Sequence, residues 1–307
     1  MIDILLATYQ SARFIHATLD SILQQDNQDW RLVIRDGGSE DNTQEIIRSW
    51  QHRYPDKIRV IPSQGRSCAC ENFSALLSAS TAPYMMFCDH DDVWFPDKIS
   101  KTFSAMQAAE RQYRPDVPLL VFTDMQVVDE RLSVLDASYF AYQHLNPDRI
   151  LMRHLLVQNI PCGCTMMINR KLADSCGPIP SEAVMHDHWL SLLAATVGRI
   201  VYLSEPTMKY RQHDQNIYGA RRYGWDYLVK RSVAGPTVAR QRFYQNVRQA
   251  KVFVQRYGDL LDLRDREIIE DFALLDELGW FDRRRVLLRH KLFKSGWLRN
   301  IITMLIV

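Results

Sequence analysis

Three carboxylates stand within four residues at Asp89-His90-Asp91-Asp92, directly after the apolar run Tyr84–Cys88. Such a cluster repels itself, and a divalent cation would relieve it: hard Mg2+ or Mn2+ takes carboxylate oxygen and shares its shell with substrate phosphates. A solvated turn whose aspartates cap the helix near Pro96 explains the same residues equally well. Asp36-Gly37-Gly38-Ser39-Glu40-Asp41 follows another apolar run. A fixed carboxylate there would accept from a nucleobase N–H or a ribose hydroxyl, or would form an Asx-type turn leading to an Asp41 N-cap. In His186-Asp187-His188-Trp189, Asp187 opens a helical run, where it would serve as a general base or as a plain N-cap. Tyr210-Arg211-Gln212-His213 with Asn216 offers His213 to a metal or phosphate and Arg211 to an anion, against a purely structural histidine.

The elements that must position these groups follow from periodicity. Ile2–Ala7, Trp30–Ile34, Ile58–Ile61 and Tyr84–Cys88 read as buried strands, and the segments between them place apolar residues at helical spacing, as in Phe14, Ile15, Leu19, Ile22 and Leu23. Alternating strands and helices predict an α/β fold with a largely parallel sheet, whose ligands bind beyond the carboxyl ends of the strands. Thr8-Tyr9, Asp36 and the Asp89–Asp92 cluster all fall at such ends and would converge on one crevice. Leu119–Val128, Thr165–Ile168, Ile200–Leu203 and Met208–Arg211 are further predicted strands; Lys98–Ala109, Arg149–Val157 and Trp189–Val197 are predicted helices. From about Tyr218 only helices are predicted, among them Val238–Tyr257 and Arg283–Phe293.

Composition narrows the class. In 307 residues, 47% are apolar and 24% charged, ordinary globular values that exclude a disordered tail, a collagen-like chain and a coiled-coil rod. No apolar run is long enough to predict a transmembrane helix, and the first residues lack the features of a signal peptide, so a cytoplasmic protein with reduced cysteines is expected. The Cys68/Cys70 and Cys162/Cys164 pairs are spaced too closely for a usual zinc site and are read as small buried thiols. No dinucleotide or Walker-type glycine motif occurs. Charge is patterned: residues 283–307 hold seven basic and no acidic side chains, together with Trp297 and several large aliphatics. That combination fits an in-plane helix on an anionic membrane surface, or else a helix packed on the protein or in a dimer. Nucleic-acid binding is not expected, because basic and acidic segments alternate without a recognised motif.

Taken together, these pieces resemble glycosyltransferase family 2, the inverting enzymes of GT-A fold that use nucleotide sugars. The matching segments are Ile4–Tyr9, Arg35–Thr43, Phe87–Lys98 (with Asp89-His90-Asp91-Asp92-Val93-Trp94 and Pro96-Asp97-Lys98), Gly163–Met166, His186–Leu190 and Tyr210–His213 with Asn216, in the family's order over roughly residues 1–220. The D-x-D-D-V-W and H-D-x-W forms look most like rhamnosyltransferase-type members of bacterial polysaccharide assembly. The resemblance implies a GT-A catalytic domain over 1–217 and a helical C-terminal region over 218–307 for membrane docking or dimerisation. It implies that Thr8 and Tyr9 line the nucleotide pocket, that Asp36 contacts the base or ribose, and that Asp89 and Asp91 form the D-x-D, with Asp91 favoured as direct ligand of Mg2+ or Mn2+. His213 would complete the metal–diphosphate region, and Asp187 would be the general base. The donor would be dTDP-rhamnose or a UDP-sugar and the acceptor a surface polysaccharide or lipid-linked glycan; homo-oligomerisation stays open. The rival reading is a non-catalytic nucleotide-sugar-binding scaffold subunit. Two departures stand out: Glu71 precedes Asn72 where many members offer Arg or Lys nearby, and His188 stands where the H-D-W-W form has Trp.

Overall fold

The computed structural model describes residues 1–63, 65–114, 116–214 and 235–307. The first half alternates as expected: β1 (Ile2–Thr8), α1 (Ile15–Leu23), β2 (Trp30–Asp36), α2 (Thr43–Arg53), β3 (Ile58–Val60), α3 (Ala69–Ala79), β4 (Tyr84–Asp89), β5 (Val93–Trp94) and α4 (Lys98–Tyr113). Then come β6 (Leu119–Val128), β7 (Val134–Asp136), α5 (Tyr139–Gln143), α6 (Met152–Leu155), a single 3-10 turn at Gly163–Thr165, β8 (Met166–Asn169), α7 (Arg170–Cys176), α8 (His186–Val197) and β9 (Arg199–Arg211). The C-terminal region is helical: α9 (Gly235–Tyr257), α10 (Leu263–Ala273), α11 (Trp280–Arg289) and α12 (Trp297–Ile306).

One mixed sheet runs in the order β3-β2-β1-β4-β8-β6-β9-β5, with β7 paired to β6. The strands β3, β2, β1 and β4 are parallel, and β6 is parallel to β9. β8 is antiparallel to both its neighbours, so the sheet is less parallel than its first half predicts. β8 inserts antiparallel between β4 and β6, which run parallel to each other and are joined across α4. The two strands predicted at Ile200–Leu203 and Met208–Arg211 are one long β9. Its register against β6 shifts where Leu203 and Pro206 pair with successive residues Thr123 and Asp124. A bulge lets the strand continue through a proline that a regular ladder would reject. The helix predicted over Arg149–Val157 shrinks to the short α6.

The sheet is covered on both faces, which is why its strands are apolar throughout. Successive residues serve opposite cores. Ile4 and Leu6 pack with α1, α2 and α4, whereas Leu5 and Ala7 pack with α3 and α8. β4 divides in the same way, Met86 and Cys88 on one side and Met85 and Phe87 on the other. The second core continues into the C-terminal region: Trp189 of α8 meets Phe253 and Tyr257 of α9 at ring-centroid distances of 5.3 and 5.9 Å. The C-terminal helices therefore share a core with the sheet. The expected boundary at 217/218, and Asn216, lie outside the described residues.

Candidate functional site

Parallel pairing in register brings the polar strand ends together. Thr8 lies opposite Asp36, and Ala7 opposite Asp89, so β2, β1 and β4 deliver their last residues to one rim. The Thr8 hydroxyl donates to Asp36 Oδ1 at 2.9 Å. Asp36 also accepts from the Ser39 hydroxyl, the amides of Gly38 and Ser39, and Gln44 Nε2. Gly38, at φ +86, makes the turn that aims those amides. Asp36 thus organises its own loop. The loop after β1 is stapled to it, since Gln10 Oε1 accepts from the amides of Glu40 and Asp41. Asp41 does not cap α2; Asn42 holds that position, and Asp41 binds the Thr43 hydroxyl and the Ala12 amide.

Tyr9 stands at the rim with the Arg66 guanidinium 5.3 Å from its ring. Arg66 is the cation that the loop before α3 contributes, although the sequence drew attention to Glu71. Glu71 has a local duty: it accepts from the Cys68 amide in a capping box whose cap atom is the Cys68 thiol. The S/T-x-x-E signature is concealed here by cysteine in the cap position.

The acidic loop after β4 is held from three sides. The Thr18 hydroxyl reaches the carbonyls of His90 and Asp92 at 2.9 and 2.8 Å. Arg211, at the end of β9, donates Nε to the Asp91 carbonyl and its amide to Asp92 Oδ1. His213 Nε2 lies 2.9 Å from Asp91 Oδ2. Burial alone would raise the pKa of Asp91, but the His213 hydrogen bond and the nearby His90 hold it below the usual carboxylate value. Burial, then the charges of Asp91 and Asp187, push Asp89 up to about 7. Asp92 is fully enclosed, is raised well above the normal range by burial and by its two acidic neighbours, and its Oδ2 has no hydrogen-bond partner among the described residues. Among the described residues, Asp89, Asp92 and Cys164 bring ligand atoms within 4.8 Å of one another. The Cys164 thiol is raised well above its usual value by burial, so it stays protonated and offers a hard cation little.

Lys98, in the same sequence motif, is fully buried. Its Nζ donates to the Cys164 carbonyl at 3.1 Å and to Thr207 Oγ1 at 3.2 Å, and burial lowers it to about 8. It ties α4 to the Gly163–Thr165 turn. That turn donates its Gly163 amide to Asp187 Oδ2 at 3.1 Å. Asp187 lies in the first turn of α8, whose N-cap is Met185; the neighbouring His188 amide donates to its Oδ1 at 2.6 Å. Burial pushes Asp187 up to about 6 against those two hydrogen bonds. The flanking histidines face inward. His186 stacks on Phe73 and Phe87, and burial takes it to about 3; His188 sits on the Leu155 carbonyl at 2.5 Å, lowered by burial to about 4. Both are neutral. Neither Lys98 nor the Gly163 contact could be read from motif spacing, because each depends on a loop from a distant part of the chain.

The family model described as glycosyl transferase family 2 matches residues 3–175, more than half of the chain. The chain belongs to glycosyl transferase family 2. It is similar to the dTDP-rhamnosyl transferase RfbG of Shigella flexneri, 28% identical over 224 residues, covering 70% of this chain and 74% of that protein. It is also similar to the putative teichuronic acid biosynthesis glycosyltransferase TuaG of Bacillus subtilis, 26% identical over 196 residues, 63% of this chain and 72% of that protein. An uncharacterised glycosyltransferase of Nostoc is 26% identical over 221 residues; the match spans 66% of that relative's length and 70% of this chain. Among solved structures, Staphylococcus aureus TarS 1–349 superposes with a TM-score of 0.54 at 17% identity, covering 98% of this chain and 86% of that one. The mannosyltransferase PcManGT of Pyrobaculum calidifontis, in complex with GDP-Man and Mn2+, superposes at 0.52 and 16% identity, covering 98% and 78%. The GT-A fold expected from the sequence is the fold found, and the chain is a family 2 glycosyltransferase. Among the described residues, no helix is long and apolar enough to cross a membrane.

Proposed function

We propose that this glycosyltransferase moves a hexose, with inversion, from dTDP-rhamnose or a UDP-sugar to a hydroxyl of a bacterial surface polysaccharide or its lipid-linked precursor. The observation that carries the reading is that one turn joins the two acidic groups: the Gly163 amide donates to Asp187 Oδ2 at 3.1 Å, and the next residue, Cys164, has its thiol within 4.8 Å of carboxylate oxygens of Asp89 and Asp92. Asp187, held near 6 by burial, is ionised at neutral pH yet basic enough to take the proton of the attacking hydroxyl. The amides of Gly163 and His188 fix its two oxygens, so its free lone pairs point in a set direction. Direct attack on the anomeric carbon inverts that centre and needs no enzyme nucleophile.

A divalent ion would be held by Asp91, Asp89 and His213, and would displace the hydrogen bond that now joins Asp91 Oδ2 to His213 Nε2 at 2.9 Å. Among the described residues, the side chains whose ligand atoms already lie within 4.8 Å of one another are Asp89, Asp92 and Cys164. The ion, Mg2+ or Mn2+, would neutralise charge on the departing diphosphate. Thr8, Tyr9 and Asp36 would line the nucleoside end, with Arg66 over Tyr9 as a cation near the phosphates. RfbG by its name transfers from dTDP-rhamnose, and TarS has been solved with UDP-GlcNAc. Both donors therefore enter the test.

The test is a thermal-shift panel of UDP, dTDP, GDP and ADP, each with and without Mn2+, followed by a transfer assay with the sugar of whichever nucleotide stabilises the fold. A ligand bound only by the native state must raise its melting temperature. A metal-dependent shift followed by turnover supports the reading. Stabilisation without turnover across acceptors turns it into the scaffold alternative, and no shift with any nucleotide removes its donor site.

A further inference from the structure

The last helix buries two polar side chains and leaves a stripe of large apolar ones exposed. On α12 the buried positions are Arg299 and Thr303, 6% and 4% exposed. The outward stripe is Trp297, Ile301 and Leu305, at 74%, 47% and 74%. These three follow i, i+4, i+8 spacing and so form one face. The inward polarity is satisfied: Arg299 donates to the carbonyls of Gln143, His144 and Ser295, and Thr303 to that of Arg299. The helix is therefore well seated, with Met304, Ile306 and Val307 against the core and the stripe of Trp297, Ile301 and Leu305 turned outward. On α11, Trp280 and Phe281 are 56% and 80% exposed. Large contiguous apolar exposure of this kind marks an interaction surface.

Arg284 joins the two helices. Its guanidinium lies 3.5 Å from the Trp280 ring centroid and donates to the carbonyls of Met304 and Val307 at the end of α12. Beside it is a groove of about 380 Å3 lined by Arg240, Arg248, Arg283, Tyr244 and Asp276. Arg240 and Arg283 both approach the Tyr244 ring, at 5.6 and 5.8 Å. Asp276 is engaged by Lys251, and among the described residues no carboxylate forms an ion pair with Arg240, Arg248 or Arg283. The Tyr244 hydroxyl is buried and has no partner among the described residues. Like charges gathered around one ring, next to an unsatisfied hydroxyl, call for an anion.

We propose that α11, α12 and this groove form a docking surface for an anionic phospholipid bilayer. Trp297, Ile301 and Leu305 would enter the interfacial layer, and Arg240, Arg248 and Arg283 would take lipid phosphate. Two arguments favour a bilayer over a second copy of the chain. α12 is only about 15 Å long at 1.5 Å per residue. Its stripe falls short of the roughly 800 Å2 per partner of a standard interface. A two-fold dimer would also set the same patch against itself, and with it Arg240, Arg248 and Arg283, with which no carboxylate forms an ion pair among the described residues. A bilayer with anionic lipid supplies the opposite charge, and its headgroup layer favours tryptophan.

The test uses the full chain without donor or acceptor, so it stands or falls separately from the transfer reaction. Co-sedimentation is measured with vesicles of phosphatidylcholine alone and of phosphatidylcholine containing about a third phosphatidylglycerol. Wild type is expected to prefer the anionic vesicles by at least about tenfold and to release as salt rises. Trp297→Glu with Leu305→Glu, on exposed positions, should abolish binding while circular dichroism and melting temperature stay unchanged. Arg240→Gln with Arg248→Gln should remove the preference for anionic lipid. Failure of wild type to sediment, or equal binding by the Glu variant, overturns the proposal. So does a wild-type dimer in light scattering that the Glu variant turns to monomer without any vesicle binding, which would assign the face to a second copy.

Discussion

The Gly163 amide donates to Asp187 Oδ2 across 3.1 Å, and residue 163 can carry no side chain: a Cβ there would stand 2.6 Å from His186 Nε2 and 3.5 Å from Asp187 Cβ. His186 cannot move aside cheaply, since its ring packs against both Phe73 and Phe87. Gly163→Ala should therefore displace the first turn of α8 and the proposed base with it. We expect kcat to fall about a hundredfold with donor KM within about a factor of three, the pattern of a group acting mainly in the transition state. Steady-state kinetics at saturating donor decide it; a rise in donor KM at unchanged kcat would place the turn in donor binding instead.

Asp187→Asn should abolish transfer, by about 10^2- to 10^4-fold, and at the same time stabilise the fold. The folded-state value near 6 lies above the ordinary 3.8, so the ionised carboxylate costs stability. For a group raised in this way, its contribution is most favourable below about pH 4 and falls as pH rises through about 6. Two units correspond to an upper bound of about 3 kcal/mol at pH 7. The melting temperature of the Asn variant should exceed that of wild type at about pH 7.5, with the gap closing near pH 4. In wild type, kcat should drop below about pH 6 with unit slope as the base takes up a proton.

Metal binding should release a proton from Asp89. Burial and its acidic neighbours keep that carboxyl near 7, so below this pH the proton competes with the cation. The melting-temperature increase caused by Mn2+ should be larger at about pH 8 than at about pH 6. Asp91→Asn should remove it at both, because Asp91 is the carboxylate held ionised beside His213. An Mn2+ shift that is independent of pH would take Asp89 out of the ligand set.

Lys98→Met keeps length and apolar stem but deletes the donor shared by the Cys164 carbonyl and Thr207. A charged donor to buried acceptors is worth about 2 kcal/mol, and urea denaturation should show a loss of that order. Because the freed turn includes Gly163, kcat should fall as well, while an exposed control such as Lys291→Met should leave both unchanged.

Much of this was legible along the chain. Short continuous apolar runs located the first four strands, and strand-end polarity located the rim, because parallel strands in register carry their carboxyl ends to one edge. The motif residues Thr8, Asp36, Asp89 and Asp187 needed only their types and order to be picked out. The helical tail, its basic charge and its Trp297 were equally visible in composition. What the chain could not disclose depends on contacts between distant segments. The burial that lifts Asp89 to about 7 and Asp187 to about 6 exists only when β4, α8 and the turn at Gly163 enclose one space. Glu71 looked available until its bond to the Cys68 amide placed it in a cap. Lys98 stood in the motif without an assigned partner, and its burial as a strut depends on partners 66 and 109 residues away. Which face of α12 turns outward was likewise undecidable from its pattern, since an apolar stripe is ordinarily the inward one. Here the carbonyls of Gln143 and His144, presented by a loop far upstream, draw Arg299 inward and leave Trp297 in the solvent.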